Sequence, residues 1–172
     1  MLRQERQYDW NCVRWAGNFR KEYSYKSNAN KIRKIGNGTV LIGFAGSVAD
    51  ALTLADKLDT NLEKYNYNLM RACIEVAKLW RSDKILRNLE AMLIAANLEQ
   101  MYVLSGTGDV IEPEHNVIAI GSGGNYAYAA GLAFVRSNVD KNAVEIAKES
   151  VKIAGEMCVF TNTNISSDFL VK

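Results

Sequence analysis

One stretch of this chain carries residue types suited to chemistry. Gly43-Phe44-Ala45-Gly46-Ser47-Val48-Ala49-Asp50-Ala51 is an apolar run that ends in a glycine turn and passes straight into a capped helix start. Such a junction presents backbone N–H groups to an oxyanion, because the first amides of a helix have no partners of their own. Lys31 lies a short strand's length upstream, just before Ile32, where it could bring an ammonium to the same spot. On spacing alone the plainer readings are a solvated lysine and a simple helix cap. No obvious nucleophile accompanies the pair.

Two further groups bear on chemistry. Gly121-Ser122-Gly123-Gly124, between a strand pattern and a helix pattern, could cradle a phosphate, but it matches neither GxxxxGK[ST] nor GxGxxG and no lysine follows it. A tight turn that lets backbones approach is the better reading. Gly155, Cys158 and Thr161 are spaced by three around a helix end, where unpaired carbonyls can hold a cation; the plainer alternative is a core cysteine. Glu112 and Glu114 read as solvated loop carboxylates.

Composition narrows the field. With 172 residues, 48% of them hydrophobic, the chain can bury one sizeable core. The net charge of +2, from 21 basic and 19 acidic residues, gives no electrostatic case for nucleic acid or an anionic membrane. No apolar run approaches the ~20 residues of a membrane span, and the start lacks the apolar core of a signal peptide. Three scattered cysteines point to a reducing, cytoplasmic compartment. With His115 the only histidine, histidine-based zinc sites and Ser-His-Asp or Cys-His machinery are nearly excluded.

The elements that must position these groups come in blocks. Thr39–Phe44 reads as a buried strand, and Ser47 with Asp50 as a capping-box pattern opening a helix. Val48, Leu52, Ala55, Leu58, Leu62 and Tyr65 mark its apolar face. Leu69, Cys73, Val76 and Trp80 mark a second helix, antiparallel to the first across a short link. Ala91–Ala96 and Met101–Leu104 read as a hairpin, followed by Val110-Ile111. Val117–Ile120 and Val159–Thr161 read as short strands, with helices near Tyr126–Arg136 and Lys141–Glu156 between them. Helix pair, hairpins, helix pair is an α+β order of antiparallel sheet covered by helices, not a Rossmann alternation.

From Lys26 to about Asn162 the chain resembles the HslV (ClpQ) family of proteasome-like peptidase subunits. The resemblance is carried by Lys26–Lys34, Gly43-Phe44-Ala45-Gly46 with Ala49-Asp50-Ala51, Trp80–Lys84 through Leu89–Ala91, Gly106–Val110, Ile118–Gly124 and Ile153-Ala154-Gly155. It implies the N-terminal nucleophile fold, a four-layer α-β-β-α sandwich of proteasome β type. It also implies a threonine peptidase in which the chain's own α-amine, with a pKa near ~8, acts as general base. Lys31 matches the family lysine that stabilises charge, Gly46 the oxyanion-hole glycine, and Ser122 the serine beside the catalytic amine. Gly155, Cys158 and Thr161 match a sodium site formed by main-chain carbonyls. The implied partners are the HslU ATPase, which does the ATP work so that this subunit holds no nucleotide, further copies in two stacked six-membered rings, and unfolded protein substrates.

Residues 1–25 depart from the family pattern and are set apart from a peptidase domain at 26–172. Family members begin, after processing, with Thr-Thr-Ile and carry a Gly-Asp-Gly-Gln turn; here the chain reads Met1-Leu2, and Val13–Gly17 stands where the turn belongs. Back-translated with one permitted choice of codons and read one base later, residues 1–25 contain G-Q-V-T-F-G ahead of an apolar run and Lys26, as HslV-like chains do. The expectation is a frame-shifted segment with the first strands degraded and the nucleophile absent; the alternative is an inactive, structural HslV-like subunit. Sequencing the locus is expected to reveal Thr-Thr-Ile codons upstream in the shifted frame. A confirmed frame without them favours the inactive subunit.

Overall fold

The computed structural model describes residues 31–84 and 86–171. The expectations for residues 1–25, including the degraded strands and the altered turn, lie outside these residues. Five strands form one antiparallel sheet in sequence order: β1 (Ile32–Ile35), β2 (Val40–Gly46), β3 (Ala91–Ala96), β4 (Met101–Ser105) and β5 (Val110–Ile111). Between β2 and β3 the chain forms α1 (Val48–Lys64) and α2 (Leu69–Ser82); after β5 come α3 (Gly124–Arg136) and α4 (Ala143–Met157). This is the α+β order expected from the sequence.

Local chemistry explains the boundaries. Gly36, Asn37 and Gly38 all have positive φ and turn β1 into β2, and the Gly36 N–H donates to Asp59 Oδ1 on α1 at 2.7 Å. Asn97 folds the β3–β4 hairpin by accepting the Glu99 and Gln100 N–H groups on its side-chain oxygen, at 2.9 and 2.7 Å. Ser47, Asn68 and Asn142 cap α1, α2 and α4. At α4 the cap is a full capping box, with Glu145 reaching back to the Asn142 N–H. At α1 it is not: Ser47 Oγ accepts from the Asp50 N–H, but the Asp50 carboxylate bonds elsewhere.

Because side chains alternate across a strand, β2 feeds two cores. Val40, Ile42 and Phe44 face α1 and α2, joined by Leu93, Ala95, Tyr102 and Leu104 from β3 and β4. Helix α1 adds Leu54, Leu58 and Leu62, and α2 adds Cys73, Val76 and Trp80. Ala51 and Leu54 are fully buried although the helical stripe read from the sequence passed them over. Leu41, Ala45, Ile94, Met101 and Val103 face the other way and meet Ile120 and Leu170.

Two expected strands differ in the structure. Val117–Ile120 and Val159–Thr161 form no ladder among the described residues. The first still alternates as a strand does: Ile118 and Ile120 pack on the sheet, while Ala119 joins Ala127, Val151 and Ala154 of the α3–α4 pair. The apolar pattern was therefore right and the partner strand is what the described residues lack. The described part of the sandwich thus holds one sheet between two helix pairs.

Leu93 lies at the centre of the larger core with no exposure. Leu93→Ala is expected to lower unfolding free energy by about 2–5 kcal/mol, read as a shifted urea midpoint. Ile111→Ala, at an exposed position, should change it by less than about 0.5 kcal/mol.

Candidate active site

Hydrogen-bond parity along β2 determines what the glycine turn offers. Ser47 N–H donates to Glu90 C=O at 2.9 Å, continuing the register in which Gly46 lies opposite Ala91. Odd-numbered residues of β2 therefore bond to β3. Phe44 N–H donates to Lys31 C=O at 3.2 Å, so even-numbered residues bond towards β1. By this alternation the N–H of Gly46 points away from β3, to the side of Lys31. The described part of β1 stops short of it.

Gly46 is required by its surroundings. Its φ is +97°, and a Cβ there would lie 2.3 Å from Glu90 O. Any side chain would push the turn off β3. The close approach to Glu90 thus accompanies a backbone conformation that favours glycine.

Lys31 lies opposite Phe44, and cross-strand partners share a face. Its ammonium sits 6.0 Å from the Phe44 ring centroid, and the residue is 7% exposed. The solvated lysine that spacing alone suggested is thus a buried one. Burial pulls its pKa down from 10.5 to about 8. At neutral pH it remains mostly charged, a cation in a partly dry setting.

Ser122 lies in the turn before α3, exposed, with its hydroxyl 3.3 Å from Thr161 Oγ1. Gly123 makes this contact possible, since a Cβ there would lie 2.6 Å from Thr161 Oγ1. Ile120, two residues before Ser122, packs in the same cluster as Ile32 and Ala45, the neighbours of Lys31 and Gly46. The segment leading to Ser122 thus packs on the same face of the sheet as the residues next to Lys31 and Gly46. Sequence reading missed the Thr161 side chain and the bond of Asp50 to Glu90. The Ser47/Asp50 spacing marked the latter position but suggested only a cap.

Gly155, Cys158 and Thr161 surround the C-terminus of α4, where helix carbonyls lose their i+4 donors. Cys158 caps the helix, its N–H on Ala154 O at 2.9 Å, and its own carbonyl accepts from Thr161 N–H at 2.9 Å. A tight turn offering hard carbonyl oxygens suits an alkali cation better than a soft metal. Glu112 and Glu114 are exposed, as read from the sequence.

Residues 16–168 match the family model described as proteasome subunit. The chain belongs to the proteasome subunit family. Its relatives place it among the HslV proteins of that family. It is 56% identical over 145 residues to the ATP-dependent protease subunit HslV of Oceanobacillus iheyensis, covering 84% of this chain and 80% of that protein. It is 56% identical over 141 residues to the ATP-dependent protease subunit ClpQ of Bacillus subtilis, covering 81% and 78%. The crystal structure of eukaryotic HslV from Trypanosoma brucei superposes with a TM-score of 0.80 at 42% identity, over 86% of this chain and 84% of that one. A Thiobacillus denitrificans protein, BPH, at 22% identity and a TM-score of 0.62, shares the fold. The family bears out the N-terminal nucleophile fold.

Burying Lys31 has a measurable consequence. Folding lowers its pKa, so between pH 8 and 10.5 the unfolded chain binds the additional proton and stability rises with pH. Below pH 8 the folded protein carries the whole cost of the buried cation. Lys31→Met is expected to show a higher urea midpoint than the parent at pH 7, with the gap closing as pH rises through that window. Parallel midpoints across the whole range would contradict the assignment.

Proposed function

We propose that this chain is the peptidase subunit of an ATP-dependent, proteasome-like protease, with Gly46 N–H as oxyanion donor. The observation that supports this best is the parity of β2, which turns that N–H away from β3, to the side of a buried lysine. A donor fixed in advance at the place where negative charge develops is worth ~10²–10³ in rate. Lys31 supplies positive charge beside it, and Ser122 supports the attacking group from the third side.

In the family mechanism a threonine hydroxyl attacks the scissile carbonyl and the α-amine takes its proton. The six threonines of this sequence all lie at position 39 or later. Five of them have hydroxyls engaged: Thr39, Thr53 and Thr60 on nearby carbonyls, Thr107 on Asp109, and Thr161 on Ser122. The scaffold described here therefore serves as the receiving half of the centre: it binds the carbonyl oxygen and stabilises its charge.

The proposal extends to the setting. An HslU-type ATPase unfolds protein substrates and feeds them in, twelve copies form two stacked six-membered rings, and the complex is cytoplasmic. Cys73, a buried free thiol, suits a reducing compartment. The carbonyls of Gly155, Cys158 and Thr161 would hold sodium, which braces the turn carrying Thr161.

A chimera tests the reading. Residues 1–25 are replaced by the corresponding N-terminal segment of the Oceanobacillus iheyensis relative, and peptide hydrolysis is measured with the ATPase and ATP. The chimera should turn over, and Gly46→Ala should reduce its kcat by at least about 10²-fold. The unaltered 172-residue polypeptide should not turn over. A chimera that assembles into rings yet stays inactive favours the alternative, a structural subunit without a competent centre.

A further inference from the structure

The last rung of the β2–β3 ladder is completed by a side chain. Ser47 and Glu90 continue the register of Gly46 and Ala91, and the Ser47 N–H donates to the Glu90 C=O at 2.9 Å. In a regular antiparallel pair the return bond would run from the Glu90 N–H to the Ser47 C=O. That carbonyl is already taken: it accepts the Ala51 N–H at 3.0 Å, the first helical bond of α1. The Glu90 N–H donates instead to Asp50 Oδ2, at 3.1 Å across 40 residues of sequence. A carboxylate stands where the ladder would have placed a carbonyl.

We infer that Asp50 is a positioning residue for the Gly46 N–H. Strand and helix both claim the backbone of Ser47, and its carbonyl is directed to the Ala51 N–H of the helix. By supplying the missing acceptor, Asp50 lets α1 begin immediately after Gly46 without the end of β2 peeling away from β3. The Glu90 peptide is the wall against which Gly46 is packed, since its oxygen fills the space of a Cβ. Ser47 holds the carbonyl of Glu90 and Asp50 holds its N–H, so the residue is held at both ends of its backbone. Asp50 touches neither substrate nor reacting atoms in this arrangement; it fixes the surface that fixes the donor.

A plainer role for an acid in the first turn of a helix is to complement the helix dipole. The two roles separate cleanly. Asp50→Asn removes the charge but keeps an oxygen acceptor, whereas Asp50→Ala removes both.

The first readout is amide hydrogen exchange of the full 172-residue chain. Asp50→Ala should speed exchange at Glu90 by about tenfold or more, the loss of a charge-assisted bond. Asp50→Asn should stay within about threefold of the parent, with amides in the middle of α1 unchanged in both. The second readout rests on the function proposed above and uses the active chimera. Asp50→Ala should lower kcat by about tenfold with KM nearly constant, because a displaced oxyanion donor is felt in the transition state. Asp50→Asn should restore most of kcat. Unchanged Glu90 exchange in Asp50→Ala, equal damage from Asn and Ala, or an effect on KM alone would overturn the assignment. An inactive chimera counts against the proposed function, and the exchange experiment then decides the role of Asp50 by itself.

Discussion

The site depends on the parity of a single strand. Each residue of β2 directs its N–H and C=O to one neighbour, and its side chain to one face. Odd positions bond to β3, so Ser47 can reach Glu90; even positions bond towards β1, so Phe44 meets Lys31. Gly46, even-numbered and the last residue of the strand, therefore has its N–H aimed away from β3, to the side of Lys31. A slip of one residue would exchange the two cores and turn that N–H into the sheet. Leu41 and Ala45 on one face, and Ile42 and Phe44 on the other, are all buried, so the slip would have to repack both close-packed cores at once.

The same strand pair places a cation where a protein seeking only stability would not. Lys31 faces Phe44 beside the largest apolar cluster, and its depressed pKa measures the cost of leaving water. The remainder of that cluster is densely apolar, with Trp80, Phe44, Leu54, Leu58, Leu62 and Leu104 essentially without exposure. A large core of this kind can tolerate one unfavourable residue. The pattern fits a function that needs a positive charge in a setting of reduced dielectric, where it acts over a longer reach than in water.

Much of this was legible in the sequence because it is local. The α1–α2 pair follows from apolar spacing at three and four, and the β3–β4 hairpin from two apolar runs around Asn97. Gly46 and Ser47 announced a strand-to-helix junction, and the family resemblance pointed to Lys31, Ser122 and Gly155. What was not legible depends on partners far along the chain. The burial of Lys31 requires knowing that it lies opposite Phe44. The bond from Glu90 to Asp50 spans 40 residues, and Asp50 carries the same spacing signal whether it caps its own helix or not. Val117–Ile120 and Val159–Thr161 have the composition of strands, but composition cannot supply a neighbour. The Thr161 contact with Ser122 shows only in the glycine that makes room for it.

The three parts of the proposed site are not held in the same way. Lys31 and Gly46 belong to a meander of sequence neighbours, β1 to β4, tied by continuous ladders and covered by α1 and α2. Ser122 belongs to the turn of a helix pair whose described connection to that sheet is the side-chain packing of Ile118, Ile120 and Leu170. Backbone ladders fix orientation to a fraction of an ångström, while apolar packing alone permits small shifts of one body over another. The contact of Ser122 with Thr161, made possible by Gly123, locks the turn to the end of α4 but not to the sheet. The oxyanion side of the proposed centre is therefore set by the strand ladders. In the proposed centre the serine side takes its position from the packing of Ile118, Ile120 and Leu170 on the sheet, a looser attachment than the ladders that hold Gly46.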